Sequence, residues 1–215
     1  ALTQYRETLK PGAETVRLMK PVGEVGAYFA LFGWAGIDGI AADAVPGPDT
    51  IWTVESGDVL TPTTPVTLAW DNGAGQIFRT DVSVDEHFMF SFAQSVENTS
   101  ADAVSLRPYG LLRRHGEPND LKNFFILHEG LVRMTDGELE EVDYSDIVDY
   151  AVDPAERTRA DRQEATNSGW IGYTDHYWMT TLIPEQDPPF RSTSKYYDSR
   201  DLYQAETVLP AQTVA

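Results

Sequence analysis

What most constrains this chain is a recurring unit: a short run of alternating apolar and polar residues, a tight turn, and a returning run. The clearest run covers residues 87–97, where Phe88, Phe90 and Phe92 fall on one face and Met89, Ser91 and Ala93 on the other. A period of two turns one face of an extended strand to a core and the other to solvent. Upstream, residues 65–70 and 76–84 flank Asp71-Asn72-Gly73-Ala74-Gly75. Asn and Gly tolerate the positive φ that hairpin turns demand. Downstream, residues 98–101 turn and 103–109 return, and residues 130–134 and 138–144 flank Asp136-Gly137 in a third hairpin. Repeated short strands without a long amphipathic helical pattern predict an all-β chain with few short helices, folded as an antiparallel sandwich.

The remaining segments fit that frame. Residues 28–34, rich in aromatics, read as a buried strand or a short buried segment. Residues 51–54 and 202–208 read as strands, and the Gly, Ala, Asp and Pro of 36–49 as a loop. Residues 153–167, DPAERTRADRQEATN, are polar throughout and carry no apolar stripe. They are expected to form a solvated loop or a short exposed helix, with the loop preferred. The stretch SGWIGYTDHYWMTTLIP, residues 168–184, supplies Trp170, Ile171 and Tyr173, then Trp178, Leu182 and Ile183, as core strands about Thr174-Asp175-His176. Asp175 is expected to hydrogen-bond that turn. No internal linker divides the chain, so residues 1–215 are expected to form a single domain.

The formal net charge is −18, with 34 acidic residues against 16 basic ones. Phosphate backbones and anionic membrane surfaces attract Lys and Arg, so no nucleic-acid partner is expected. There is no cysteine, which removes disulfides, thiolate nucleophiles and Cys-held zinc. That fits a reducing cytosol and an exported protein equally. The longest uncharged run, residues 25–37, is shorter than the ~20 apolar residues a membrane helix needs, and the chain start has no leader pattern.

Candidate chemistry is sparse. His87, His115, His128 and His176 are never two or four residues apart, so no metal site is expected. His128-Glu129 and Asp175-His176 are adjacent acid–imidazole pairs, but neighbours on a strand point to opposite faces. An enzyme of the sugar-epimerising kind would need an imidazole and a carboxylate about one carbon, and His115, His128 and Glu129 are the residues to test. A carbohydrate-binding module would instead use Trp34, Trp52 or Trp70 as stacking platforms. Arg113-Arg114-His115-Gly116 is a compact basic cluster that suits an anion or an acidic peptide, or pairs with local carboxylates. No phosphate loop and no nucleophile elbow is present. Asn98-Thr99-Ser100 matches the glycosylation triplet as a chance occurrence in a turn. No catalytic residue, metal ligand or cofactor is therefore assigned.

Several blocks together resemble one family. WDNGAGQIFRTDVSVDEHFMFSFAQSVENTS, SLRPYGLLRRHGEPND, FFILHEGLVR and SGWIGYTDHYWMTTLIP, in this order, are similar to the large periplasmic domain of the YidC membrane protein insertases of Gram-negative bacteria. YRET and YFALFGW are similar to the same region, and the wording of residues 28–34 resembles the alphaproteobacterial branch. The resemblance implies a β-supersandwich of galactose mutarotase-like type, set in the periplasm between the first two membrane helices of an inner-membrane protein. It implies a role without catalysis: assisting insertion and folding of client membrane proteins, with contacts to the Sec translocon. It also implies that both ends are trimmed relative to the family domain, and that the position of His176 varies.

Overall fold

The computed structural model describes residues 2–38, 40–118, 128–175 and 177–215. The strands are β1 (Leu2–Arg6), β2 (Thr15–Val16), β3 (Tyr28–Gly36), β4 (Thr53–Ser56), β5 (Val66–Asp71), β6 (Gln76–Val84), β7 (Phe90–Asn98), β8 (Val104–His115) and β9 (Gly130–Thr135). They continue as β10 (Glu138–Asp143), β11 (Val152–Asp153), β12 (Thr158–Ala165), β13 (Gly169–Thr174), β14 (Met179–Leu182), β15 (Phe190–Tyr197), β16 (Leu202–Val208) and β17 (Gln212–Val214). One α-helical turn, α1 (Tyr144–Ile147), stands among them. Among the described residues the strands pair antiparallel, as expected for an all-β chain with few short helices.

The chain forms two compact units, each drawn from segments distant in sequence. The first comprises Ala1–Leu31 and Gly110–Val208. One of its sheets runs β10-β9-β13-β14; the other runs β11-β12-β15-β16 and continues onto β8. The β9–β10 turn is Asp136-Gly137, with φ of 50° and 94°. Two successive positive φ values match the right-handed twist of the flanking strands. Leu131, Ile147 and Ile171 are wholly buried between the sheets, with Tyr144, Tyr173 and Tyr203. Each such aliphatic side chain contributes about 1.5–3 kcal/mol relative to an exposed one.

The second unit comprises Phe32–Tyr109 and Leu209–Ala215. Its antiparallel sheet runs β4-β5-β6-β7. Trp34, Val45, Phe78 and Leu106 form the core, with Ile40, Trp52, Trp70, Val96 and Val104 packed against them. The β5–β6 turn closes on Asn72, whose side-chain oxygen accepts the Ala74 and Gln76 N–H groups, while Gly73 and Gly75 adopt φ of 72° and 101°.

Three expectations need correction. Residues 153–167 are not a solvated loop: most form β12, a strand between β11 and β15. Its polar side chains are matched by ions on neighbouring strands, so no apolar stripe is needed. β7 begins at Phe90, because Phe88 sits in a turn with φ 66°. Ile183 lies beyond β14 and is exposed, whereas Ile171, Tyr173 and Leu182 are core as expected.

Candidate functional site

Asp175 follows the last residue of β13, and its backbone N–H donates to the Trp178 carbonyl at 2.8 Å. Its backbone thus shapes the turn, but its side chain does not. One carboxylate oxygen accepts the Arg114 guanidinium at 2.7 Å, and the other accepts the Tyr144 hydroxyl at 3.3 Å. The Arg114 and Asp175 side chains are only 13% and 15% exposed. The guanidinium lies 4.9 Å from the Tyr28 ring centre and 5.8 Å from that of Tyr144, so ring quadrupoles add to the ion pair. Burial pushes the phenols of Tyr28, Tyr144 and Tyr173 well above their usual range. The result is a neutralised ion pair in an aromatic cage. His176 lies outside the described residues.

The other predicted residues are dispersed rather than gathered. His115, at the end of β8, stacks on Phe29 with ring centres 6.5 Å apart, and its backbone N–H donates to the Ala27 carbonyl. His128 donates from Nε2 to the Leu131 carbonyl at 2.7 Å, and its Nδ1 faces Asp143 Oδ1 at 3.2 Å. Glu129 is buried. Arg113 donates to Gln204 Oε1 at 2.7 Å. The backbone N–H of His87 donates to Asp85. Among the described residues no group of three or more His, Asp or Glu is placed to hold a metal ion. Trp34 is buried, and Trp52 and Trp70 pack on the same core, so the three form no exposed aromatic row. Asn98 is built into its turn: its amide donates to the Asp102 and Val214 carbonyls.

Two charge networks, each centred on a buried cation, escaped the sequence. Arg133 on β9 is wholly buried and donates to Glu140 on β10 and Asp161 on β12, and Gln163 donates to the same Glu140. Lys195 on β15 meets Glu156 at 2.7 Å and Glu206 on β16 at 2.9 Å. Burial pulls its ammonium down, but the two carboxylates outweigh that and raise it. Partners 7 to 39 residues apart leave no periodic signal, so only their shared location across facing strands reveals them.

Surfaces that could meet another chain lie at the sheet ends. In the first unit β10 and β14 end one sheet. β10 carries Glu138, Glu140, Glu141 and Asp143, a charged guard of the kind that blocks edge pairing. β14 is only four residues long. In the second unit β7 ends its sheet with nine residues, FSFAQSVEN, of which only Glu97 is charged. β7 is therefore the least guarded of these three end strands.

Comparison with known proteins agrees with this picture. The model for the YidC periplasmic domain matches residues 1–215. A protein named membrane protein insertase YidC from Ruegeria sp. (strain TM1040) is 52% identical over 214 residues, covering 100% of this chain and 35% of the relative. The one from Roseobacter denitrificans is 54% identical over 212 residues, covering 99% and 35%. The one from Jannaschia sp. (strain CCS1) is 50% identical over 204 residues, covering 95% and 33%. The chain thus spans about a third of the length of these curated relatives, all of them alphaproteobacterial as the residue 28–34 wording implied. Matched over its whole length by the family model, and at about half identity by these insertases, the chain belongs to the YidC periplasmic domain family.

Proposed function

We propose that this chain is the periplasmic, non-catalytic part of a membrane protein insertase, and that it holds polypeptide during insertion. The observation that carries this reading is the whole-chain match to relatives named insertases. The dispersed histidines and the caged Asp175 support a role without chemistry. The partners are client membrane proteins and components of the Sec translocon, and the rest of the insertase tethers the domain to the inner membrane. No helix among the described residues is long and apolar enough to cross a membrane. Residues 1–215 act as one domain, a reading supported by β3 and β8 each running unbroken from one unit into the other, and its galactose mutarotase-like type rests on the family resemblance alone. The outer edge of β7 offers backbone groups to an added strand.

Photocrosslinking tests this. A photoreactive residue at Ala93 on β7, in the membrane-anchored insertase, is expected to capture nascent client or translocon subunits. The same residue at Glu141 on β10 is expected to capture neither. Adducts absent from both positions, with insertion unaffected by removing the domain, overturn the reading.

A further inference from the structure

The tip of the β6–β7 hairpin is built in a way that folding alone does not explain. Between Val84 and Phe90 the chain turns through Asp85-Glu86-His87-Phe88-Met89. The Asp85 N–H donates to the Met89 carbonyl at 3.0 Å. Its carboxylate accepts the His87 and Met89 N–H groups, each at 2.8 Å, and those donors hold the carboxyl below its usual range. An ionised side chain therefore locks the loop. Within it Phe88 adopts φ 66°. A bulky L-residue is strained there, and Gly or Asn would relieve that strain.

The locked loop presents three consecutive apolar side chains to solvent. Phe88, Met89 and Phe90 are 40%, 56% and 50% exposed. A run of three exposed apolar residues opposes solubility unless something binds it. The tip is also anchored: Phe90 stacks on Phe92 at 6.3 Å, and Phe92 on Phe32 at 4.0 Å. Its flanking charges, Asp85 and Glu86, are acidic. That collar, on a chain of net charge −18, opposes anionic lipid and acidic peptides and complements cations. Met and Phe adapt to varied apolar surfaces without demanding one sequence.

We propose that the Phe88-Met89-Phe90 tip docks apolar polypeptide segments flanked by Lys or Arg. This rests on the polypeptide-binding reading above and gives that binding a place and a chemistry. The probe is a labelled apolar peptide with lysines at both ends and a photoreactive leucine at its centre, mixed with the 215-residue chain. Saturable binding is expected, with crosslinks mapping to residues 85–90. Phe90→Ser and Met89→Ser are each expected to weaken it about tenfold. Ile51→Ser, at another exposed apolar residue of the same unit, leaves it unchanged, and urea midpoints confirm that each variant folds. A glutamate-flanked version of the peptide binds about tenfold more weakly or not at all.

Equal binding by the tip variants, or by the two peptides, overturns the proposal. So does flotation with phosphatidylglycerol vesicles in place of peptide binding, or a dimer that Met89→Ser abolishes while no peptide binds. Crosslinks elsewhere on the chain remove the tip but leave polypeptide binding standing. No crosslinks anywhere remove both.

Discussion

Asp175 and Arg114 lie 61 residues apart in sequence and 2.7 Å apart in space. Removing one member of such a pair strands the other charge in a poorly solvated cage, which costs about 3–5 kcal/mol. Asp175→Ala is therefore expected to lower urea-unfolding stability by that order, whereas Asp175→Asn, which keeps an acceptor for Arg114, loses less. A catalytic acid would behave oppositely, with function falling while stability held. Asp136 makes a different demand. It accepts the Thr166, Asn167 and Ser168 N–H groups and the Thr166 hydroxyl, and these donors hold its carboxyl far below the usual range. A folded-state value below the unfolded one, ~3.9 for Asp, adds stability that is present above pH ~4 and is lost as pH falls toward the folded value. Urea midpoints measured from pH 5 downward should fall less steeply in Asp136→Asn than in the parent. Asn tolerates the left-handed backbone at this position, so the comparison isolates the charge.

At the scale of elements, the hairpins were legible because their turns carry their own chemistry. Asn72, Gly73 and Gly75 close one, and Asp136-Gly137 another, each with the backbone angles those residues favour. β12 was not legible. Strand patterns are recognised by an apolar face, and β12 has none: Asp161 meets Arg133, and Arg162 meets Asp153. A strand with charged partners on both faces looks like solvent-exposed chain until the facing strands are known. The aromatic cage failed for the same reason, since Tyr28, Arg114, Tyr144 and Asp175 come from four separate segments. Lys195 on β15 tests how much these internal ions matter. Lys195→Met leaves Glu156 and Glu206 facing each other with little solvent, and a loss of about 3 kcal/mol is expected. The raised ammonium fixes the pH sign: its contribution is complete below the unfolded value of ~10.4 and is lost as pH rises through the folded one. Alkaline unfolding in the parent should therefore steepen above that point, and the variant should lack that component.

For the whole molecule the open issue is whether two compact units mean two folding units. Domains that fold separately are joined by exposed linkers crossed once or twice by the chain. Here the chain passes between the units three times: inside β3, between Leu31 and Phe32; inside β8, between Tyr109 and Gly110; and directly after β16, between Val208 and Leu209. The first two passages lie within hydrogen-bonded strands that pair with each other. Melting one unit alone would have to break two continuous strands at mid-length, leaving a frayed end where each strand had been hydrogen-bonded chain. Unfolding is therefore expected to be a single transition, with calorimetric and van't Hoff enthalpies in agreement. A variant in the first unit, Asp175→Ala, and one in the second, Phe78→Ala, should each move that one transition without splitting it. Two resolved transitions, each shifted by only one of the substitutions, would show that residues 1–215 are two domains that share strands but not cooperativity. Acidic self-repulsion bears on both units, since net charge opposes compactness throughout the chain. Raising ionic strength should shift the single transition upward as a whole and leave its width unchanged.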